Sequence, residues 1–267
     1  MKYGFCVSPD SLQSEEKYVP LFKTLAEAGF DYVELPFYII SGMNEDEIAK
    51  LKAASKIIPF LACNIFFPFS LKLVGPEMDM PGIEAYLERM LPLAKDLGVE
   101  TLVFGNGGAR RIPDGQSYDA IWADLRKIVE TMEIHAKKVG IPISIEPLNS
   151  RESNIILSYG EAVKLAEGLT HITTMIDSYH NTADGLNYDD VYKNPEELRH
   201  LHVAYQPGRM VPSPSDDMTH YVDFVKMVKA VGYNNKMTVE ASLRFTEPDD
   251  IKKECADCVS TLKKLFG

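Results

Sequence analysis

The chain has 267 residues, 45 % hydrophobic and 25 % charged, with a formal net charge of −11. That length is enough to bury a sizeable core, and the negative charge repels phosphate backbones, which argues against nucleic acid as a partner. No apolar run reaches the roughly 18 residues of a membrane span, and the opening MKYGFCVSPD lacks the long apolar stretch of a signal peptide, so a cytoplasmic protein without a membrane anchor is expected.

A first strand is predicted over Lys2–Val7, followed by a helix over Glu15–Ala28 that stops at Gly29. Strand Tyr32–Leu35 leads to helix Asn44–Ser55, and strand Phe60–Ile65 to helix Gly82–Leu97. Strand Thr101–Phe104 runs into the loop GNGGARRIPDG, and helix Tyr118–Val139 follows, ending at Gly140 with Pro142 beyond. Strand Ile143–Glu146 precedes helix Ser158–Leu169, whose first residue is a serine suited to capping. Strand Thr174–Asp177 is followed by a shorter helix over Tyr188–Leu198. Strand His200–Ala204, helix Thr219–Val231, strand Met237–Glu240 and helix Glu247–Leu265 complete the series. The strands are rich in Val, Ile, Leu and Phe, as strands covered on both faces should be. Eight alternating units of this length predict one (β/α)8 TIM barrel, a single α/β domain over 1–267. A doubly wound open sheet would more often show a glycine-rich first turn, and VSPDSLQSEEK has no glycine.

A barrel gathers its chemistry at the C-terminal ends of its strands. The second strand ends near Glu34 in YVELP, the third in Cys63 and Asn64, and the fourth in the loop carrying Arg110 and Arg111. The last four strands end in Glu146, Asp177, His202 and Glu240. One acidic residue at a strand end is usually a solvated loop residue or a helix cap. Three carboxylates at one mouth repel, so either some are protonated or a cation sits among them. Oxygen donors with one imidazole suit Mn²⁺, Mg²⁺ or Co²⁺.

These strand ends, with the D-x-x-H spacing of Asp177 and His180, resemble the xylose-isomerase-like superfamily of sugar isomerases and epimerases, including ketose 3-epimerases, hydroxypyruvate isomerases and inosose dehydratases. The resemblance implies that Glu146, Asp177, His202 and Glu240 bind one divalent metal, Mn²⁺ foremost, with Mg²⁺, Co²⁺ and Zn²⁺ as alternatives. It implies that Glu146 and Glu240 also move the proton next to a ketose carbonyl through an enediolate, from opposite sides. His180 and Arg209 then correspond to substrate-binding positions. The implied partner is a small sugar or sugar derivative. Relatives are often dimers or tetramers, and nothing in the sequence declares an interface.

Other residues carry weaker expectations. Glu34 can bind a substrate hydroxyl or anchor a loop, and Phe5, Cys63 and Phe66 can line one wall of the mouth. Arg110 or Arg111 can take a phosphate or carboxylate on the substrate, or pair with acidic loop residues. His200, two residues before His202, lies one layer deeper and reads as a core histidine. Trp122 reads as packing, and Cys255 and Cys258 as thiols on one helix face, because no second pair completes a zinc site. A dehydratase begins with the same proton abstraction and shares the four ligands. An endonuclease-IV-like repair enzyme needs several metals and more than the six histidines present. A non-catalytic sugar-binding protein has no need of two opposed glutamates.

Overall fold

A computed structural model describes residues 1–267. Eight parallel strands close in chain order: β1 (Lys2–Cys6), β2 (Tyr32–Pro36), β3 (Phe60–Asn64), β4 (Thr101–Phe104), β5 (Ile143–Ile145), β6 (Ile172–Asp177), β7 (Leu198–Val203) and β8 (Lys236–Val239). β1 pairs with β8, which closes the ring and leaves no sheet edge. The expected (β/α)8 barrel is therefore the observed fold. No helix is long and apolar enough to cross a membrane.

The local causes are legible. Helix Glu45–Ala54 starts at a capping box in which Asn44 and Glu47 satisfy each other's backbone N–H. Ser117 and Ser158 cap helices Tyr118–Val139 and Tyr159–Ala166. Gly29 and Gly140 end their helices in the left-handed conformation. The interior of the barrel is partly polar. Tyr32 fills it opposite Gly4, where any Cβ would overlap the Tyr32 ring, and its hydroxyl meets Thr238 Oγ1 at 2.7 Å. Ser144 and Thr173 share a 2.9 Å bond nearby. The larger apolar core lies between the barrel and its helical coat.

The structure departs from expectation where the chain approaches the mouth. The helix expected over Tyr188–Leu198 is a short turn, Asp189–Lys193, then a 3-10 turn, Pro195–Glu197. Pro195 lacks an N–H and disfavours helix in the residue before it. The helix expected from Thr219 is a 3-10 turn, Met218–Tyr221, followed by helix Val222–Ala230. Short helices Phe37–Ile40 and Ser178–Ala183 follow β2 and β6 directly, Gly107–Arg110 follows β4 after two residues, and none has enough periodicity to be read from sequence. Trp122 is half-buried against the core and stacks on Tyr118, and Cys255 and Cys258 are both fully buried.

Candidate active site

The structure brings Glu146, Asp177, His202 and Glu240 together. One donor atom from each lies within 4.8 Å of all the others. Asp177 is the last residue of β6 and sits in register with His202 of β7. Its Oδ1 accepts the Tyr179 N–H at 2.8 Å, capping helix Ser178–Ala183, while Oδ2 faces the cluster. Glu146 and Glu240 each lie one residue beyond β5 and β8. His202 Nδ1 is 3.2 Å from Glu146 Oε1 and 2.8 Å from Glu240 Oε2. A divalent ion about 2.1 Å from each donor sets adjacent donors about 3.0 Å and opposed donors about 4.2 Å apart, and the 2.8 and 3.2 Å separations around His202 Nδ1 match adjacent donors. Three carboxylates and one imidazole also form a donor set suited to Mn²⁺, Mg²⁺ or Co²⁺.

Glu34 is not a substrate contact, as was one expectation, nor a loop anchor. It is fully buried in β2 beneath the cluster. Its Oε1 is 3.0 Å from His202 Nε2; its Oε2 is 2.8 Å from His200 Nε2 and accepts from Thr238 Oγ1 at 2.6 Å. Glu34 therefore fixes a proton on His202 Nε2 and turns Nδ1 toward the carboxylates, as a carboxylate behind a metal-binding histidine does. His200 is the core histidine expected.

Electrostatics separates the two glutamates. Burial, and then the charge of Glu240, pushes the Glu146 carboxyl up, against a hydrogen bond to His202. Burial also acts to raise Glu240, but His202 and Arg209 outweigh it and hold Glu240 down at about 2. Burial disfavours a charged His202, yet Glu34 and Glu240 outweigh it and push the imidazolium well above its usual range. Without a cation, the carboxylates thus rely on the His202 proton and on Arg209 for neutralisation.

His180 and Arg209 reach the same mouth. Asn149 Oδ1 accepts from the backbone N–H of Arg151 and Glu152, at 3.0 and 3.2 Å. Its Nδ2 must then donate, to His180 Nδ1 at 2.7 Å and to Glu152 Oε1 at 3.0 Å. His180 therefore carries its proton on Nε2, which points past Asp177 Oδ2, 3.5 Å away, into the site. Arg209 has a left-handed backbone, φ 51°. Its Nη2 donates to Asp177 Oδ2 at 3.0 Å and to Glu240 Oε2 at 2.6 Å, and its guanidinium stacks 4.4 Å from the Tyr179 ring centroid. Bulky residues seldom adopt such a backbone away from functional sites.

Three further expectations fail. Cys63 and Phe66 do not line the mouth; both are fully buried in the apolar core, because alternation along β3 turns Asn64, not Cys63, to the barrel mouth. Arg110 is not available to substrate. It is fully buried, lies 5.2 Å from the Phe104 ring centroid, and donates to the carbonyls of Phe104 and Glu146. The short helix Gly107–Arg110 tucks it under the ends of β4 and β5, where it ties two strand termini together. Arg111 is exposed beside another cavity with Lys72 and Asp114, which meets the space over the cluster at Gly108 alone and is lined by none of the four cluster residues.

The sequence places Asn64 at a strand end without giving it a role, and Gly105 and Glu152 are not among the expected site residues. A Cβ at Gly105 would lie 3.0 Å from Glu146 Cδ and overlap Oε2, so glycine there makes room for the carboxylate. Asn64 is buried and donates to Glu240 Oε1 at 3.3 Å, while its Oδ1 has no partner. Glu152 lines the cavity over the cluster with Glu146, His180, Arg209 and Glu240, a space of about 320 Å³. Its signal is the N-x-x-E turn after Glu146.

The family model for the xylose isomerase-like TIM barrel matches residues 22–260. The chain belongs to that family. It is similar to a D-psicose 3-epimerase of Agrobacterium fabrum, 23 % identical over 266 residues, covering 94 % of this chain and 89 % of the epimerase. It is also similar to a fructoselysine 3-epimerase of Escherichia coli O157:H7, 22 % identical over 256 residues, covering 85 % of this chain and 86 % of that enzyme. Among solved structures, a D-psicose 3-epimerase crystallised with D-fructose superposes with a TM-score of 0.83 at 17 % identity, covering all of both chains, which is a likeness of fold.

Proposed function

We propose that the protein is a divalent-metal-dependent sugar epimerase or isomerase that moves a proton on the carbon next to a ketose carbonyl. The observation carrying this reading is the pairing of Glu146 and Glu240 in one cluster from β5 and β8, three strands apart around the barrel. Two proton-transfer groups on opposed walls are what inversion at a carbon needs, one to remove a proton and one to return it. The curated epimerase relatives support it.

Glu146, Asp177, His202 and Glu240 would hold the cation, which when bound stabilises negative charge on sugar oxygens. The protein's own groups do the rest. Glu146 and Glu240 each use one oxygen on the cluster and keep the other for the proton. Which of them begins depends on the epimer bound. His180 Nε2–H and the Arg209 guanidinium donate to sugar oxygens where charge develops. Arg209 also restrains Glu240, to which it is bonded. The buried floor of Glu34 and His200 excludes water from beneath.

Protein loaded with Mn²⁺ is incubated in D₂O with fructose, psicose, tagatose, ketose phosphates, hydroxypyruvate and inososes, and followed by NMR. Deuterium next to the carbonyl, with a new epimer or isomer, is expected. Loss of water to a diketo product would move the assignment to a dehydratase. No exchange with any substrate would overturn the proposed chemistry.

A further inference from the structure

A groove of about 490 Å³ lies beside the carboxylate cluster on the same face of the barrel, between the starts of helices Glu15–Ala28 and Pro248–Phe266. Phe5, Pro20, Leu21, Leu243 and Ile251 give it an apolar wall, and Lys17 is the one charged side chain lining it. It shares Cys6, Ser8, Ala241 and Ser242 with a smaller cavity of about 230 Å³. That cavity contains Glu240, Arg209 and Asn64, which also line the space over the cluster. The three spaces therefore neighbour one another through shared wall residues, in a row from Glu146 to Lys17. The space over the cluster alone reaches the lower end of the roughly 300–1,000 Å³ typical of small-molecule sites. The groove beyond it is larger.

At the junction stands Asn64. Its Nδ2 is held by Glu240 and by Cys6 Sγ, 3.6 Å away, and its Oδ1 is a buried acceptor with no partner. Such an acceptor costs stability unless a donor arrives. Ile65, next in the chain and lining both cavities, has φ 46°, a conformation that β-branched residues avoid. A strained backbone and an orphaned acceptor thus meet where the two spaces join. Were the Asn64 amide to turn and present Oδ1, a sugar hydroxyl donating to it would direct whatever the sugar carries toward the groove.

We propose that this groove is a subsite for a substituent on the sugar, so that the substrate is a conjugated ketose whose appended group has an apolar body and an anionic end at Lys17. This rests on the epimerase reading for the reacting end only. A free hexose would leave the groove to water. An apolar body removes the surfaces of Leu21, Leu243 and Ile251 from water, and an anion at Lys17 meets the single lining charge of a strongly acidic protein.

Two measurements separate the subsite from the chemistry. First, 5-phenylpentanoate alone is titrated into the protein, with the methyl NMR signals of Leu21, Leu243 and Ile251 observed. Saturable shifts at these methyls are expected. Leu21→Trp, which fills the groove, should weaken binding by about tenfold or more, and Lys17→Glu by about fivefold. No saturable shift, or the same affinity in both variants, would overturn the subsite. Second, the ketosamine formed from glucose and 6-aminohexanoate is compared with fructose on Mn²⁺-loaded protein. The ketosamine should have a KM at least about tenfold lower, and Leu21→Trp should erase that advantage while leaving kcat/KM for fructose unchanged. Equal KM values in the wild type would overturn the proposal. Saturable carboxylate binding without exchange on any sugar would support the groove and overturn the epimerase reading instead.

Discussion

Replacing Gly105 by alanine adds one methyl group where Glu146 places its carboxylate. That methyl would lie 3.0 Å from Glu146 Cδ and overlap Oε2. Ordinary carbon–oxygen contact needs the oxygen to retreat by about 1 Å or more. The clash is with the far end of a side chain and not with backbone, so Glu146 can swing away cheaply. Destabilisation of about 1 kcal/mol, at the low end for an inserted methyl, is expected. The functional cost is different in kind. A misplacement of about 1 Å at a reacting group costs on the order of 100-fold. Gly105→Ala should therefore fold normally, with a Tm within a few degrees of wild type, and lose about 100-fold in kcat/KM for proton exchange. Shortening the acid in Gly105→Ala/Glu146→Asp withdraws the carboxylate from the methyl, so the two changes should be less than additive. The assay is deuterium incorporation by NMR beside a denaturation curve. Wild-type exchange and metal affinity in Gly105→Ala would refute this placement of the carboxylate.

Other outcomes follow from single residues. Glu34→Gln removes one of the two acceptors shared by His200 and His202, and should lower Mn²⁺ affinity by about 10–100-fold by calorimetry; an unchanged affinity would contradict the role of Glu34 behind His202. Arg110→Met frees the carbonyls of Phe104 and Glu146, and should cost about 2–4 kcal/mol in urea unfolding without a preference between phosphorylated and plain ketoses; a selective loss on phosphorylated substrates would restore Arg110 as an anion contact. Burial acts to raise Glu133, but hydrogen bonds from Lys137, the Thr170 and His171 backbone N–H groups and the Thr170 hydroxyl outweigh it and hold it down at about 2, against 4.5 for a free glutamate. Its folded pKa is depressed, so it stabilises fully above the unfolded pKa and loses that contribution as pH falls through the folded value. The gap in unfolding free energy between wild type and Glu133→Gln should be about 1–2 kcal/mol at pH 7, since the half-exposed Lys137 is screened by solvent, and less than half that by pH 3; a gap independent of pH would refute it.

Much of the site was readable because Glu146, Asp177 and Glu240 close apolar runs, His202 stands one residue before the end of β7, and parallel strands in a barrel end at one mouth. Glu146, Asp177, His202 and Glu240 needed no more than that. Glu34 departs from the strand-end pattern. It lies in the interior of a wholly buried strand, in the layer of His200 and Thr238. Arg110 was misread because a glycine-rich stretch looks like an open loop, whereas four residues of helix turn the guanidinium inward. Gly105 and Asn64 act through space and unpaired atoms across strands, which one-dimensional patterns do not carry. Glu152 was within reach, since Asn149 and Glu152 form a local turn that sequence can specify.

The most direct measurement is a calorimetric titration of chelator-stripped protein with Mn²⁺, for the wild type and for Asp177→Asn. The four-residue centre requires one site per chain in the wild type and a loss of affinity of about 100-fold or more when the Asp177 charge is removed. Absence of binding in the wild type, or equal affinity in Asp177→Asn, would contradict a cation centre built from Glu146, Asp177, His202 and Glu240.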